Sequence, residues 1–456
     1  MPSSPFQSTV AIVGGGLAGL AAGCALAEDG YRVQLYERRP YLGGRASSYQ
    51  HPATGEVVDN CQHVLLGCCT NLIDLYRRSG VEDKVRWFDR LNFVEPGGRN
   101  STIEVTSLPA PLHTAPSFLA SKALSLRDKM GIAQAMLQMR KPLPDDGRSF
   151  LEWLRAHRQT ERSIRRFWAP VLVSALNEDL DRCSTRYAAQ VFRESFLKSA
   201  TAGRMGIPAI PLSDLYSAAG EYIRQRGGEV NFRAAVEGFK ADGEGVRLCI
   251  GGQEINTDFA VLAAPFNVIA NLLPDDEQAR PLREMVSHFE SSPITGVHLW
   301  FDRQITDLEH AVLLDRTIQW MFHKSKLLNR TGEGSYVELV VSSSKTLVEL
   351  GRQEIIDLAV RELAEFFPNV RQAKLEKATV IKEVHATYSP KPGVDEYRPT
   401  AKSPWARVFL AGDWTQTNWP ATMEGAVRSG YIAAEALAGK KFLVPDLPAA
   451  GLMKFL

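Results

Sequence analysis

The sequence predicts an α/β chain in which a nucleotide-binding domain is assembled from distant pieces around an α+β domain with a helical insertion. Three observations predict it. A short apolar run at 9–13 stops in Gly14-Gly15-Gly16-Leu17-Ala18-Gly19, and an Ala- and Leu-rich stretch follows directly. Residues 110–200 place apolar side chains at helical spacing, as in Phe150, Leu151, Trp153 and Leu154, then Phe167, Trp168, Val171 and Leu172. Late in the chain a second apolar run, 407–411, ends in Gly412-Asp413 and leads into a closing helix at 423–437.

Taken in order, 9–13 reads as a buried strand and 17–29 as a helix that Gly30 ends. The next strand is 32–36, which completes a βαβ unit. Pro142-Leu143-Pro144-Asp145-Asp146-Gly147 is a loop within the helical insertion. A helix at 213–226 passes through Gly227-Gly228 into strands at 229–232, 235–241 and 246–250, and a further strand at 259–264 stops at Pro265. Residues 295–301, 319–323 and 336–342 alternate like strands, and 353–367 reads as a helix. The expected nucleotide-binding domain is therefore discontinuous, at 1–110, 205–290 and 395–440. The substrate domain takes 111–204 and 291–394, and 441–456 is a tail.

Composition bounds the function. Of 456 residues, 45% are hydrophobic and 23% charged, the balance of an ordinary globular chain large enough for two intertwined cores. The net charge of +1 gives no basic field, so nucleic acid is not an expected partner. Six cysteines include the neighbours Cys68 and Cys69, which make no sensible disulfide framework, and a reducing, cytoplasmic setting is expected. The opening MPSSPFQST lacks a basic region and does not read as a signal peptide. No run of 18 uncharged apolar residues predicts a membrane span. Two stretches leave a peripheral membrane contact open. One is 116–141, which mixes Phe118, Leu119, Leu124, Ile132 and Leu137 with Lys122, Arg127, Arg140 and Lys141. The other is the tail Gly451-Leu452-Met453-Lys454-Phe455-Leu456. A half-buried helix and a docked tail fit the same residues. Nothing fixes an oligomeric state, and the nine histidines show no metal-ligand spacing, so no metal is expected.

Gly14, Gly16 and Gly19 fit G-x-G-x-x-G. They allow the tight turn, the approach of backbone to a pyrophosphate and close helix packing in turn. The helix start at Leu17 and Ala18 offers free amides and a positive dipole end. Glu37 falls at the end of the second strand, where a ribose-binding carboxylate belongs, and Arg38 beside it is counted with the cofactor contacts. A solvated strand end is the other reading of Glu37. A dinucleotide with an unphosphorylated ribose is favoured, and both FAD and NAD satisfy this. Gly43-Gly44-Arg45 follows, with Arg45 a cationic fork suited to pyrophosphate oxygens.

From this point the chain resembles the flavin-dependent amine oxidase and phytoene desaturase superfamily, which carries a Gly-Gly-Arg element here. That resemblance implies FAD as the cofactor, in a glutathione-reductase/amine-oxidase type fold. It puts Asp413, after Gly412, on the ribityl chain or pyrophosphate, and Val236 beside the adenine. It also sets the helix that starts at Thr422 and Met423 against the flavin ring, with Thr422 a plausible N-cap. No second glycine fingerprint predicts an NAD(P)H domain.

Several segments narrow the likeness: Asp59-Asn60-Cys61-Gln62-His63-Val64-Leu65-Leu66-Gly67-Cys68, Met205-Gly206-Ile207-Pro208, and Gly412-Asp413-Trp414-Thr415 with Trp419-Pro420-Ala421-Thr422. They are similar to the squalene-associated branch, the hydroxysqualene dehydroxylases. This implies a hydrophobic C30 isoprenoid substrate and reductive loss of an allylic hydroxyl to give squalene, with hydride from reduced flavin. A general acid would protonate the departing oxygen. His63 is the first candidate, with Tyr388 and Asp59 behind it, and Trp414 and Trp419 are candidates to face a developing cation. A structural histidine and ordinary core tryptophans are the competing readings. A carotenoid-type desaturase and an amine oxidase-like flavoenzyme are the alternative functions.

Overall fold

The computed structural model describes residues 8–330, 332 and 334–455. The opening residues read for a signal peptide, up to Gln7, and the tail's Leu456 lie outside them. The nucleotide domain is a five-stranded parallel sheet in the order Glu229–Phe232, Arg32–Glu37, Thr9–Val13, Phe259–Leu262, Val408–Leu410. Val13 lies opposite both Tyr36 and Leu262, and Leu262 lies opposite Leu410. Parallel strands end on one edge, so the turns at Gly14, Glu37, Ala263 and Gly412 share that edge, where α/β sheets bind ligands. Covered on both faces, the central strand needs an unbroken apolar run, and Val10, Ala11 and Ile12 are fully buried.

The helix Leu17–Glu28 is buried along all but its last residue, between the closing helix Met423–Ala438 and the helix Leu212–Gln225. Gly430 permits this packing. A Cβ there would stand 2.2 Å from the Ala18 carbonyl oxygen, so only glycine lets the two helices touch backbone to backbone.

The second sheet has seven strands in the order Leu375–Tyr388, Ser291–Phe301, Ser335–Ser342, Trp320–Phe322, His310–Leu313, Arg90–Val94, Asn100–Glu104. All neighbours are antiparallel except His310–Leu313 with Arg90–Val94. Two features differ from the sequence reading. Residues 90–104, grouped there with 1–110, pair with this second sheet, where Phe93 lies opposite Val312. The 14-residue strand Leu375–Tyr388 was not predicted, because charged residues interrupt its apolar alternation.

The helical insertion contains Ala115–Ala120, Leu126–Gln138 and Phe150–Ala156. Two longer runs follow, and each holds a π turn, at Ile164–Trp168 and Arg193–Leu197. Ser125 and Ser149 start their helices with capping boxes closed by Asp128 and Glu152. The tail crosses back over the insertion, where the amides of Ala450 and Leu452 donate to the carbonyls of Lys198 and Ala110. Among the described residues no helix is long and apolar enough to cross a membrane, no acidic, His or Cys cluster could hold a metal, and all six cysteines are free.

Candidate active site

Local backbone geometry builds the first half of the site. Gly19 sits so close to the loop that a Cβ would fall 1.9 Å from the Gly14 oxygen. The Glu37 carboxylate accepts from the Gly15 amide at 2.7 Å and the Arg39 amide at 2.8 Å, so it pins two loops at once. The second loop crosses the first through a bridge between Gly16 and Gly43, with the Gly43 amide donating to the Gly15 carbonyl. The amides of Leu17 and Ala18 precede the first closed helical turn and need an outside acceptor. Gly14, Gly16, Leu17, Ala18, Glu37, Arg38, Gly43, Gly44 and Val236 all line one cavity.

The second half meets it there. Gly412, Asp413, Thr422 and Met423 line the same cavity. The Thr422 hydroxyl accepts from the Gly425 amide at 3.1 Å, so Thr422 is the N-cap of the closing helix. Glu424 turns away to the helix Thr70–Arg78, taking hydrogen bonds from the amides of Asn71 and Leu72 and from Arg428. Arg45 lines the same cavity. Its guanidinium donates to Asp413 at 2.8 Å and to the Ala386 carbonyl at 2.8 Å, so it also clamps three distant segments together. The donor set still fits a dinucleotide: open helix-start amides, a cationic Arg38 and a carboxylate at the strand end.

The proposed catalytic residues divide. His63 lines the cavity, and its Nδ1 lies 2.7 Å from the Cys61 carbonyl. A carbonyl only accepts, so Nδ1 carries the proton and Nε2 is bare. Burial is the largest influence on its pKa and lowers it, against the Cys61 hydrogen bond and Asp59. A neutral imidazole with a bare nitrogen accepts a proton and does not donate one.

Trp414 is corrected. It is fully buried, off the cavity, with its indole donating to the Ala264 carbonyl at 3.0 Å. Tyr388 is corrected likewise. It is buried edge-on against Phe289, beside Arg398, and burial pushes its phenol up to about 12. Trp419 does line the cavity, but the Arg428 guanidinium already sits 4.6 Å from its ring centre. Asp59 is tied to Lys324 at 2.6 Å inside the protein. Burial opposes its ionisation, but the Lys324 ammonium and hydrogen bonds from Ser48 and Leu212 outweigh this and hold the carboxyl below its usual range.

The cavity, of about 570 Å³, continues well beyond the nucleotide loops. Six of the seven strands of the second sheet contribute to its floor, from Ala386 through Ile294, Val340, Phe322 and Val312 to Phe93. The helix Ala169–Leu176 roofs it with Pro170, Val171, Ser174 and Ala175, a single i, i+4 face. Asn177 ends that helix in a left-handed conformation, and its amide group bonds to Ser292, Thr387 and Ser343, tying roof to floor. Sequence reasoning missed Asn177 and Trp320. The αL-tolerant Asn directly after an apolar helical face was the available signal for the first.

The model of the flavin-containing amine oxidoreductases matches residues 17–438. The chain belongs to this family. Its cofactor is FAD. Among curated relatives, 15-cis-phytoene desaturase of Synechococcus elongatus is 28% identical, covering 95% of this chain and 96% of that one. Zeta-carotene desaturase of Synechocystis sp. is also 28% identical, over 94% and 96%. Among solved structures, putrescine oxidase superposes with a TM-score of 0.75 at 17% identity, covering 95% of this chain and 100% of that one. An oxidoreductase from Methanosarcina mazei gives 0.73 at 17%, with the same coverage. These solved structures share the fold of this flavoenzyme, and both curated relatives are desaturases, not dehydroxylases.

Proposed function

We propose that this flavoenzyme desaturates a long acyclic isoprenoid chain. The observation that carries the reading is the single cavity whose apolar floor crosses six strands and meets the FAD loops at one end. The carotenoid desaturase relatives support the same substrate class. Bound FAD supplies a two-electron acceptor for hydride from a C–H bond. The chain's own residues do the rest. The Leu17 and Ala18 amides and the Glu37 carboxylate hold the dinucleotide. The closing helix, capped by Thr422, opens its positive end on the cavity and favours negative charge there. The apolar walls exclude water and align the chain. Desaturation also releases a proton, and the bare Nε2 of His63 is an acceptor in the wall. Reductive dehydroxylation needs the opposite, a donor, and none of His63, Tyr388 and Asp59 stands ready as one.

The substrate is proposed to arrive from a lipid surface. Among the described residues, twelve large hydrophobics are exposed, and eight of them fall in 108–137 and 452–455. Leu126, Met130, Ala133 and Leu137 form an outward stripe on one helix, and exposed Lys122, Arg127, Arg140, Lys141 and Lys454 accompany it. Apolar and basic groups together suit an anionic bilayer interface.

Anaerobic incubation of FAD-loaded protein with phytoene tests the function. Bleaching of the flavin absorbance together with a more conjugated product is expected. Squalene formed from hydroxysqualene after dithionite reduction, with no reaction on phytoene, would instead place the protein with the dehydroxylases. Hydrogen peroxide released on adding amines would make it an amine oxidase.

A further inference from the structure

We propose that Trp320 is the stop that fixes how far an apolar chain enters the cavity, and hence which carbon comes to rest at the flavin end. Only the identity of the chain rests on the desaturase reading.

Sheet order sets the direction. Ala386 on the first strand bonds to Arg45, which bonds to Asp413, so this strand marks the flavin end. Phe93 lies on the sixth strand. Five strand spacings of about 4.8 Å separate them, roughly 24 Å of floor; Trp320 stands on the fourth strand, roughly 14 Å from the first, with Val312 and Phe93 on the two strands beyond it. Toward the far end, the floor consists of Trp320, Val312, Leu91 and Phe93, which pack as one cluster with Ala123 and Leu314.

Trp320 differs from its neighbours because it joins floor to roof. It belongs to the sheet, yet its indole N–H donates to the Ser174 hydroxyl at 2.6 Å, and Ser174 is on the roof helix. Ser174 gives its own proton to the Pro170 carbonyl at 2.7 Å, so its oxygen is left to accept. The indole also stacks on Phe322, with ring centres 5.5 Å apart and planes within 4°. A ring held at its edge by a hydrogen bond and on its face by stacking has one orientation. It is a rigid bar across an apolar channel, and such a bar measures length.

The test titrates the FAD-loaded full chain with primary n-alkyl alcohols of increasing length in detergent, reading the perturbation of the flavin spectrum. The wild type is expected to bind up to a cut-off length and to lose about tenfold or more in affinity beyond it, the penalty for a misfitting methylene. Trp320→Ala should move the cut-off to longer alcohols. Ser174→Ala, which frees the indole and keeps its volume, should blur it. If Trp320→Ala loses its FAD or its fold, Trp320→Phe and Ser174→Ala carry the test. An unchanged length profile in a folded, FAD-loaded variant overturns the proposal, as does the absence of any cut-off in the wild type. Failure of the desaturase reading is distinguishable: a cut-off that moves while phytoene is untouched leaves the stop intact. Phytoene converted with the same double-bond positions and length profile in Trp320→Ala refutes the stop alone.

Discussion

The imidazole of His63 is the small group whose protonation would separate the two proposed chemistries. Burial lowers its pKa below 6.5, so at neutral pH it is a proton acceptor. Turnover is expected to hold above pH 6.5 and to fall on an acid limb below it, as the imidazole charges. His63→Gln should keep its FAD, lose about a hundredfold in turnover and lose that limb. A pH–rate profile checks this, and full turnover in the variant removes His63 from the chemistry. Glu338 is a second titrating group. It is fully buried, 3.7 Å from Lys324, and burial pushes it from the usual 4.5 to about 8 in spite of that ammonium. Its pKa is raised on folding, so the folded chain keeps a proton that the unfolded chain has released, and stability falls as pH rises between 4.5 and 8. Burial lowers His63, His298, His310 and His323 from 6.5, so they add stability as pH rises toward 6.5, which leaves pH 6.5 to 8 as the clean window. There Glu338→Gln should flatten the decline in melting temperature, as thermal unfolding at several pH values would show. A slope equal to that of the wild type would show that Glu338 does not titrate in this range.

The elements were legible in the sequence where their constraint is local. The glycine loop and the Thr422 cap each follow from backbone geometry within a few residues, and the structure has both. The aromatics at the ends of elements were not legible, because their direction depends on partners far along the chain. Trp414 turns inward to an acceptor at Ala264, and Tyr388 ends a strand whose pattern did not show in the sequence. The placement of 90–104 failed for the same reason, since its strand partner lies near residue 312. Two contacts between elements are testable. Gly430→Ala places a methyl against the Ala18 carbonyl, and overpacking of this kind costs about 1–3 kcal/mol. A lower melting temperature with weaker FAD retention is the expected result, and an unchanged melting temperature would mean that the helices part without strain. The Arg45–Asp413 clamp predicts that Arg45→Lys weakens FAD binding although it keeps the charge, because a single ammonium cannot reach both Asp413 and Ala386. A double-mutant cycle with Asp413→Asn, read by FAD affinity, should show coupling of about 1 kcal/mol. Additive effects would dissolve the clamp.

On the scale of the molecule, the apolar cavity and the apolar surface share one piece of chain. Ala123 packs behind Phe93 and Val312 at the far end of the cavity, and three residues later Leu126 begins the exposed stripe. The isoprenoid chain proposed as substrate would gain nothing by crossing water, so a surface that rested on lipid and backed onto the cavity would shorten its path. Leu126 is 69% exposed and Phe455 86% exposed, a standing cost in water that a bilayer interface would remove. Wild-type protein should sediment with vesicles containing anionic lipid, less with purely zwitterionic ones, and less as salt screens the basic groups. Each apolar side chain seated in the interface contributes about 1.5–3 kcal/mol at full burial. Leu126→Asp with Met130→Asp should therefore abolish sedimentation, while conversion of detergent-dispersed substrate continues unchanged, because neither side chain lines the cavity. Sedimentation equal to that of the wild type would mean that this stripe faces something other than lipid.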